Sequence, residues 1–317
     1  MILRLSHTLR ELQRLSREAP EATFQDDAFE AMKELIRFDT GFWGGGIPSE
    51  PAVMHYVHLF RISLAEMHPA FEKAKSHPKM IESVARAANN AGRAQIFNTK
   101  EAGIDFFYKP FDVDQLISIY LHDTDLGLYH VLSLYRSGEE HFTEQERLLF
   151  ESAVPHLLDA YRENQLQHIS SSNWDSCPLS PAAALVDWEG VVHFARPAFV
   201  ELIRSEYPDW HGPKVPEAMR RMKEGSFIGK AVAASFTQKN DSLYLMVMRK
   251  KGLLDELSAR ELEVAKQLAR GLSHKDIASH LAITPATARN HVASILAKLG
   301  CNKTVQVATM LQNEGGL

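Results

Sequence analysis

Long apolar stretches, cysteine and excess basic charge are all scarce in this 317-residue chain. No run of about 18 apolar residues occurs, so no segment reads as a membrane-spanning helix. The opening MILRLSHTLRELQRLSREAP mixes acids and bases and has no apolar h-region or small-residue cleavage site. It therefore does not read as a secretory leader, and a cytoplasmic protein with no membrane partner is expected. The only two cysteines, Cys177 and Cys301, lie far apart, which supports neither a disulfide framework nor a thiolate metal site. The net charge of −5, from 35 Lys and Arg against 40 Asp and Glu, excludes a general polyanion binder.

What remains is ordinary globular composition, 45% apolar and 24% charged, at a length that suits two or three domains. The charge is unevenly spread. From Val264 onward, Lys266, Arg270, Lys275, Arg289, Lys298 and Lys303 face only Asp276 and Glu314, leaving +4 there and −9 in the rest. A basic end on an acidic body raises a nucleic-acid reading.

Apolar spacing predicts helices over 2–15, 24–36, 64–74 and 78–91, and strands over 39–47, 53–60 and 127–136. Thr143 and Glu146 form a capping box that opens a long helix to about Gln167. The Ser- and Pro-dense stretch 170–181 reads as a linker. Short apolar runs at 182–187, 191–194, 231–236 and 243–248, with helical segments near 197–205 and 215–223, define a second unit over 182–249. At that size it needs a neighbour to complete its core. A basic linker over 250–256 leads into the last unit, 257–317.

That last unit carries the strongest signal. Ser258 with Glu261, and Ser273 with Asp276, are capping boxes, and Gly271 stops the first helix. Thr284 caps a third helix whose first residue is Pro285, where a missing N–H does no harm. The very short connection before Thr284 predicts a steep helix-turn-helix crossing. Ala288, Val292, Ile295 and Leu299 form the inward stripe of the third helix, against Val264, Leu268, Ile277 and Leu281. Its other face carries Arg289, Asn290, Ala293 and Ala297, and the helix holds no acid. Such a face suits approach to phosphates and base edges in the major groove.

The segment LSARELEVAKQLARGLSHKDIASHLAITPATARNHVASILAKLGC (257–301) resembles the LuxR/GerE-type helix-turn-helix of bacterial transcription regulators. Leu257, Arg260, Glu261, Gly271, Leu272, Ser273, Ile277, Ala278, Ile283, Thr287, His291, Lys298, Leu299 and Gly300 stand at the positions that pattern expects. Ala288 before Arg289, and Ala293 four positions beyond Arg289, depart from it, so no base preference is carried over. The resemblance implies an all-α four-helix domain, with a fourth helix at about 303–311 that helps pair two copies. It also implies double-stranded DNA as partner, read by Arg289 and Asn290, with Ser273, Lys275, Thr284, Thr287, Ser294 and Lys298 around them.

Three readings compete for residues 1–169. The stretch Glu101–Leu116 resembles the end of a phospho-receiver, with Lys109 in the place of the phosphate-binding lysine, but no Asp lies between Asp39 and Asp105 to accept phosphate. The acyl-homoserine-lactone domain needs spaced Trp and Tyr followed by Asp-Pro, a pattern that does not fit this chain. The segments 35–46, 127–136 and 142–161 resemble GAF-like sensor modules, and 185–199 resembles the opening of a PAS-like one. The expected fold is therefore α+β: a GAF-like sensor, a small PAS-like α/β segment and the helix-turn-helix. Phe38, Trp43, Tyr56, Tyr108 and Tyr129 are candidates to line a small-molecule pocket.

His55 and His58 face opposite sides of one strand, so no metal site is expected, and Gly44-Gly45-Gly46 reads as a turn or bulge. No cofactor fingerprint and no nucleophile–base pair can be defined, so no enzyme is expected. The combined reading is a dimeric transcription regulator controlled by an unknown ligand, with RNA polymerase among its candidate partners. The alternative is an enzyme or a protein-interaction domain fused to a DNA-binding tail.

Overall fold

A computed structural model describes residues 2–48, 53–171, 182–220, 225–238 and 243–313. Among them are two antiparallel five-stranded sheets and a C-terminal group of helices, so the α+β class is as expected. The linker stretch 172–181, with Cys177, lies outside the described residues.

In the first unit, α1 (Ile2–Glu18) and α2 (Phe24–Lys33) precede β1 (Thr40–Ile47) and β2 (Val53–Phe60). Next come α3 (Leu64–Ala74), α4 (Pro78–Asn89), β3 (Gln95–Asn98), α5 (Asp105–Tyr108), β4 (Gln115–Asp123), β5 (Leu128–Arg136) and α6 (Glu144–Ser171). The sheet order is β2-β1-β5-β4-β3. Side chains alternate across this sheet, and helices cover both faces. Trp43, Ile117, Ile119, Leu132 and Leu134 pack with Leu12 and Leu15 of α1, Phe24 and Phe29 of α2, and Phe150 and Leu157 of α6. On the other face Leu116 and Tyr135 pack with Met67 of α3, Met80 of α4 and Phe107 of α5. Within β1 the pairing with β2 shifts between Gly45 and Gly46, the bulge that the glycine run suggested. The long helix α6 opens on the predicted box: Thr143 N–H donates to Glu146 at 2.8 Å, and Glu146 N–H to Thr143 Oγ1 at 3.2 Å.

The second unit runs β6 (Ala183–Asp187), β7 (Val192–Ala195), α7 (Pro197–Glu206), α8 (Glu217–Arg220), β8 (Gly225–Ile228), β9 (Val232–Gln238) and β10 (Leu243–Lys250). Its order, β7-β6-β10-β9-β8, repeats that of the first sheet: second, first, fifth, fourth, third strand. This unit shares its core with the first. Leu126 and Leu128, from the β4–β5 hairpin, are buried together with Val186, Val192, Phe199, Ile203, Met219 and Met246. On the opposite face Leu185, Phe194 and Leu245 pack against Leu166 of α6. The expected need for a neighbour is met from both sides.

In the C-terminal unit a short 3-10 turn (Leu253–Glu256) precedes α9 (Ala259–Ala269), α10 (His274–His280), α11 (Pro285–Lys298) and α12 (Thr304–Asn313). Leu254 joins the same core as Val264, Ile277 and Ile295. Part of the expected 250–256 linker is thus built into the helical unit. Arg249 at the end of β10 holds Asp255 through two nitrogens at 2.6 Å each, which fixes how the chain enters it.

Candidate nucleic-acid interface and sensor face

The three predicted caps form. Ser258 accepts from Glu261 N–H, Ser273 from Asp276 N–H and Thr284 from Thr287 N–H. Gly271, with φ +83, ends the α9 region in the left-handed conformation that favours glycine. The α10–α11 turn passes through Ala282 at φ 51. Arg260 braces it by donating to Leu281 O at the end of α10. Ala288, Val292, Ile295 and Leu299 are buried on the stripe that spacing predicted, so α11 has one inward face and leaves the other in solvent.

On the outer side Arg289 and Asn290 are exposed, next to the small Ala293 and Ala297. Lys275, at the start of α10, is exposed too. Within the described residues no hydrogen bond or ion pair engages the side chain of Lys275, Arg289 or Asn290, so all three are available to a ligand. Three other candidates serve their own helices. Ser273 Oγ donates to Asp276 at 2.6 Å, and the Thr284 and Thr287 hydroxyls lie 2.8 Å apart at the α11 cap.

Ser294 and Lys298 are placed differently from the expectation. Their side chains turn toward α9, where Lys298 Nζ lies 2.7 Å from Glu261 Oε2 and Ser294 Oγ 2.6 Å from Glu261 Oε1. Glu261 is buried, and these donors, with the Ser258 N–H, hold its carboxyl down at about 2. An ionised carboxylate in that position anchors α11 on α9. Lys298 is therefore a clamp within the domain, its charge already offset. Nothing in the spacing of α11 reveals this, because Glu261 already has a local role in its capping box.

The candidate pocket residues do not converge. Phe38, Trp43 and Tyr56 belong to the α1/α2/α6 side of the first sheet, where Trp43 is fully buried and its ring lies 6.2 Å from Phe29 and 4.8 Å from Tyr161. Tyr108 packs on the α3–α5 side against Tyr135, rings 5.6 Å apart. Tyr129 shares the Tyr135 face by strand alternation and stacks on Tyr120 at 5.1 Å. Burial pushes the Tyr108 and Tyr129 phenols up to about 12, so both stay neutral donors. Between them on that face, the Ser133 hydroxyl donates to Ser118 at 2.9 Å in a buried pair. An open groove of about 630 Å³ lies elsewhere, between α1 and α2, lined by Glu11, Arg14, Glu18, Asp27 and Glu30. His55 and His58 take separate partners, Asp187 and Asp26.

A four-helix core, closed by Val307 and Leu311 of α12, with a capped, acid-free outer helix defines a helix-turn-helix unit. Residues 255–311 match the family described as bacterial regulatory proteins, luxR family, and form a LuxR/GerE-type helix-turn-helix domain. Over 81 residues the chain is 37% identical to the transcriptional regulatory protein UhpA of Salmonella typhimurium, covering 24% of this chain and 41% of that protein. It is 41% identical over 61 residues to the transcriptional regulatory protein LnrK of Bacillus subtilis, covering 19% and 28%. The chain thus spans less than half the length of these curated relatives. Among solved structures it is similar to Escherichia coli SdiA, with 12% identity over 98% of both chains and a TM-score of 0.36. It is also similar to the N-acylhomoserine lactone dependent CepR2 of Burkholderia cenocepacia, with 15% identity over 54% of this chain and 97% of that one and a TM-score of 0.37. At these TM-scores neither overlay bears on the fold or the ligand of the first 250 residues.

Proposed function

We propose that the chain is a DNA-binding transcription regulator, not an enzyme, whose first unit senses a small molecule. The observation that carries the DNA reading is the outer face of α11, where Arg289 and Asn290 stand exposed, unpaired and free of acidic neighbours on their helix. Arg289 and Asn290 read base edges and Lys275 meets phosphate. Such a protein acts as a dimer on duplex DNA in the cytoplasm, with RNA polymerase as the machinery it influences. The exposed Val305 on α12 suits a contact between two helical units.

The ligand reading places a small molecule on the α3–α5 side of the first sheet, near Tyr108 and Tyr129. Buried neutral hydroxyls among apolar side chains are the usual lining of such sites. The signal then passes along α6, which packs on both sheets. Regulation requires the ligand to bind two states of the chain unequally.

Fluorescence anisotropy of the full chain, on duplexes recovered by in vitro selection, tests the DNA reading. Affinity should fall as salt rises. Arg289→Ala should lose about 1–3 kcal/mol of discrimination between selected and scrambled sites. Lys298→Ala should keep that discrimination and instead lower thermal stability by about 1–3 kcal/mol, because Glu261 loses its charged partner. Equal loss of discrimination in the two variants would refute the assignment. Native mass spectrometry for a co-purified molecule tests the sensor, and DNA affinity unchanged across a broad metabolite panel would sink it.

A further inference from the structure

Between the two sheets lies a cluster of ionisable groups that neither the DNA face nor the sensor face uses. His55 of β2 points across the boundary, its Nδ1 3.6 Å from Asp187 Oδ2 of β6. His193 of β7 binds that same oxygen through Nε2 at 2.9 Å, and the two imidazole rings are 5.9 Å apart. The side chains of His55, Asp187 and His193 are about nine-tenths buried. Behind them, Tyr56 Oη lies 2.6 Å from Nδ1 of His130 on β5, also buried.

Hydrogen-bond capacity limits how many protons the cluster holds. Asp187 Oδ1 already accepts from the N–H groups of Glu189 at 2.8 Å and Val191 at 2.9 Å, so only Oδ2 serves the two imidazoles. Neutral His55 can direct its one proton toward Oδ2 and leave Nε2 bare. That Nε2 is buried and has no partner, so a second proton would become a buried donor without an acceptor. With its proton on Nε2, neutral His130 accepts the Tyr56 hydroxyl at Nδ1, 2.6 Å away. Protonation would put a donor there and leave the Tyr56 hydrogen to find another acceptor in a dry site.

The other charges around the cluster do not relieve this. Glu189 and Asp187 favour charge on His55 while Lys214 and His193 oppose it, and burial outweighs them, so the His55 imidazole is held below its ordinary value. Around His130, Asp123 favours charge, whereas Arg162 and His193 oppose it. Burial dominates again and pulls His130 down to about 4. Tyr161, Tyr129 and Arg162 face Tyr56.

We propose that this seam is a proton-sensitive joint, in which mild acid separates the second sheet from the first. The sign follows from linkage. An imidazole with a depressed value when closed stabilises the closed seam above its open-state value of 6.5, and loses that stabilisation as pH falls toward about 4. The second sheet leads through the Arg249–Asp255 pair into the helix-turn-helix, so opening the seam frees that domain relative to the first unit.

Hydrogen–deuterium exchange on the full chain at about pH 7.5 and about pH 5.5, with labelling times scaled for intrinsic exchange, tests the joint. Protection in 53–60, 123–131 and 183–195 should fall by about tenfold in acid if opening the seam returns His130 to its ordinary value. Protection in 259–298 should hold. In His130→Gln, which keeps an acceptor for Tyr56, the acid-induced fall should shrink to less than about threefold. If that variant does not fold, His55→Gln should give a smaller fall than the native chain. An unchanged fall in the folded variant, no fall in the native chain, or equal loss across 259–298 would overturn the proposal.

Discussion

The two sheets of this chain have the same strand order but are completed differently. The first lies between helices of its own unit, α1, α2 and α6 on one face and α3, α4 and α5 on the other. The second has α7 and α8 on one face, yet that core is completed by Leu126, Leu128 and Ile47 of the first unit, and the other face lies on α6. One winding therefore gives a self-sufficient domain in one case and a dependent one in the other. The difference lies in how much apolar surface each sheet must hand to a neighbour. A dependent unit loosens when it undocks, because its docking and its folding draw on the same contacts.

Separating the two pieces should produce the largest effect. Residues 1–171 alone should unfold in one cooperative transition, while residues 182–250 alone should show no thermal transition by circular dichroism. A cooperative transition in the second fragment would break the comparison. Within the full chain, Gly212→Ala should come next. Gly212 sits at φ +69, and a Cβ there would collide with the carbonyl oxygen and carbonyl carbon of Leu126. The clash falls on the backbone of Leu126, whose side chain is part of the shared core. We expect a loss of about 3 kcal/mol or more in chemical denaturation, with the second unit unfolding ahead of the first. A single transition at the native midpoint would show that the hairpin is not what holds the second sheet.

Much of the C-terminal unit was legible because its signals are local. A cap binds a residue three positions on, and an inward stripe repeats every three or four residues, so Ser258, Ser273, Thr284 and the Ala288–Leu299 face could be placed from spacing alone. The strands were harder. β4, Gln115-Leu-Ile-Ser-Ile-Tyr-Leu-His-Asp123, is covered on both faces and so carries apolar residues at adjacent positions, where a half-exposed strand would alternate. β3 and β8 have four residues each, too few to establish a period. The sites missed altogether are tertiary. Nothing near Lys298 in sequence points to Glu261, and nothing near His55 points to Asp187 or His193. The aromatic residues proposed to share one pocket split between opposite faces of the first sheet, since a list of aromatics says nothing about which face of which strand each occupies.

The smallest of these effects isolates the hairpin turn itself. Asp123, at the end of β4, accepts from the backbone N–H of Asp125 at 3.0 Å and of Leu126 at 2.9 Å through Oδ1. Through Oδ2 it accepts from Arg162 of α6 at 2.8 Å. One carboxylate thus shapes the turn that presents Leu126 and ties that turn to the helix lying under both sheets. Asp123→Asn keeps the turn-forming carbonyl oxygen but removes the charge that Arg162 meets, which should lower stability by about 1 kcal/mol. Asp123→Ala removes both and should cost about 2 kcal/mol. The readout that distinguishes a coupling role from a merely local one is exchange protection of 183–195 in the second sheet. If the hairpin joins the units, protection there falls in step with the hairpin's own in both variants. If only 120–130 loosens, the second sheet is held by α6 alone.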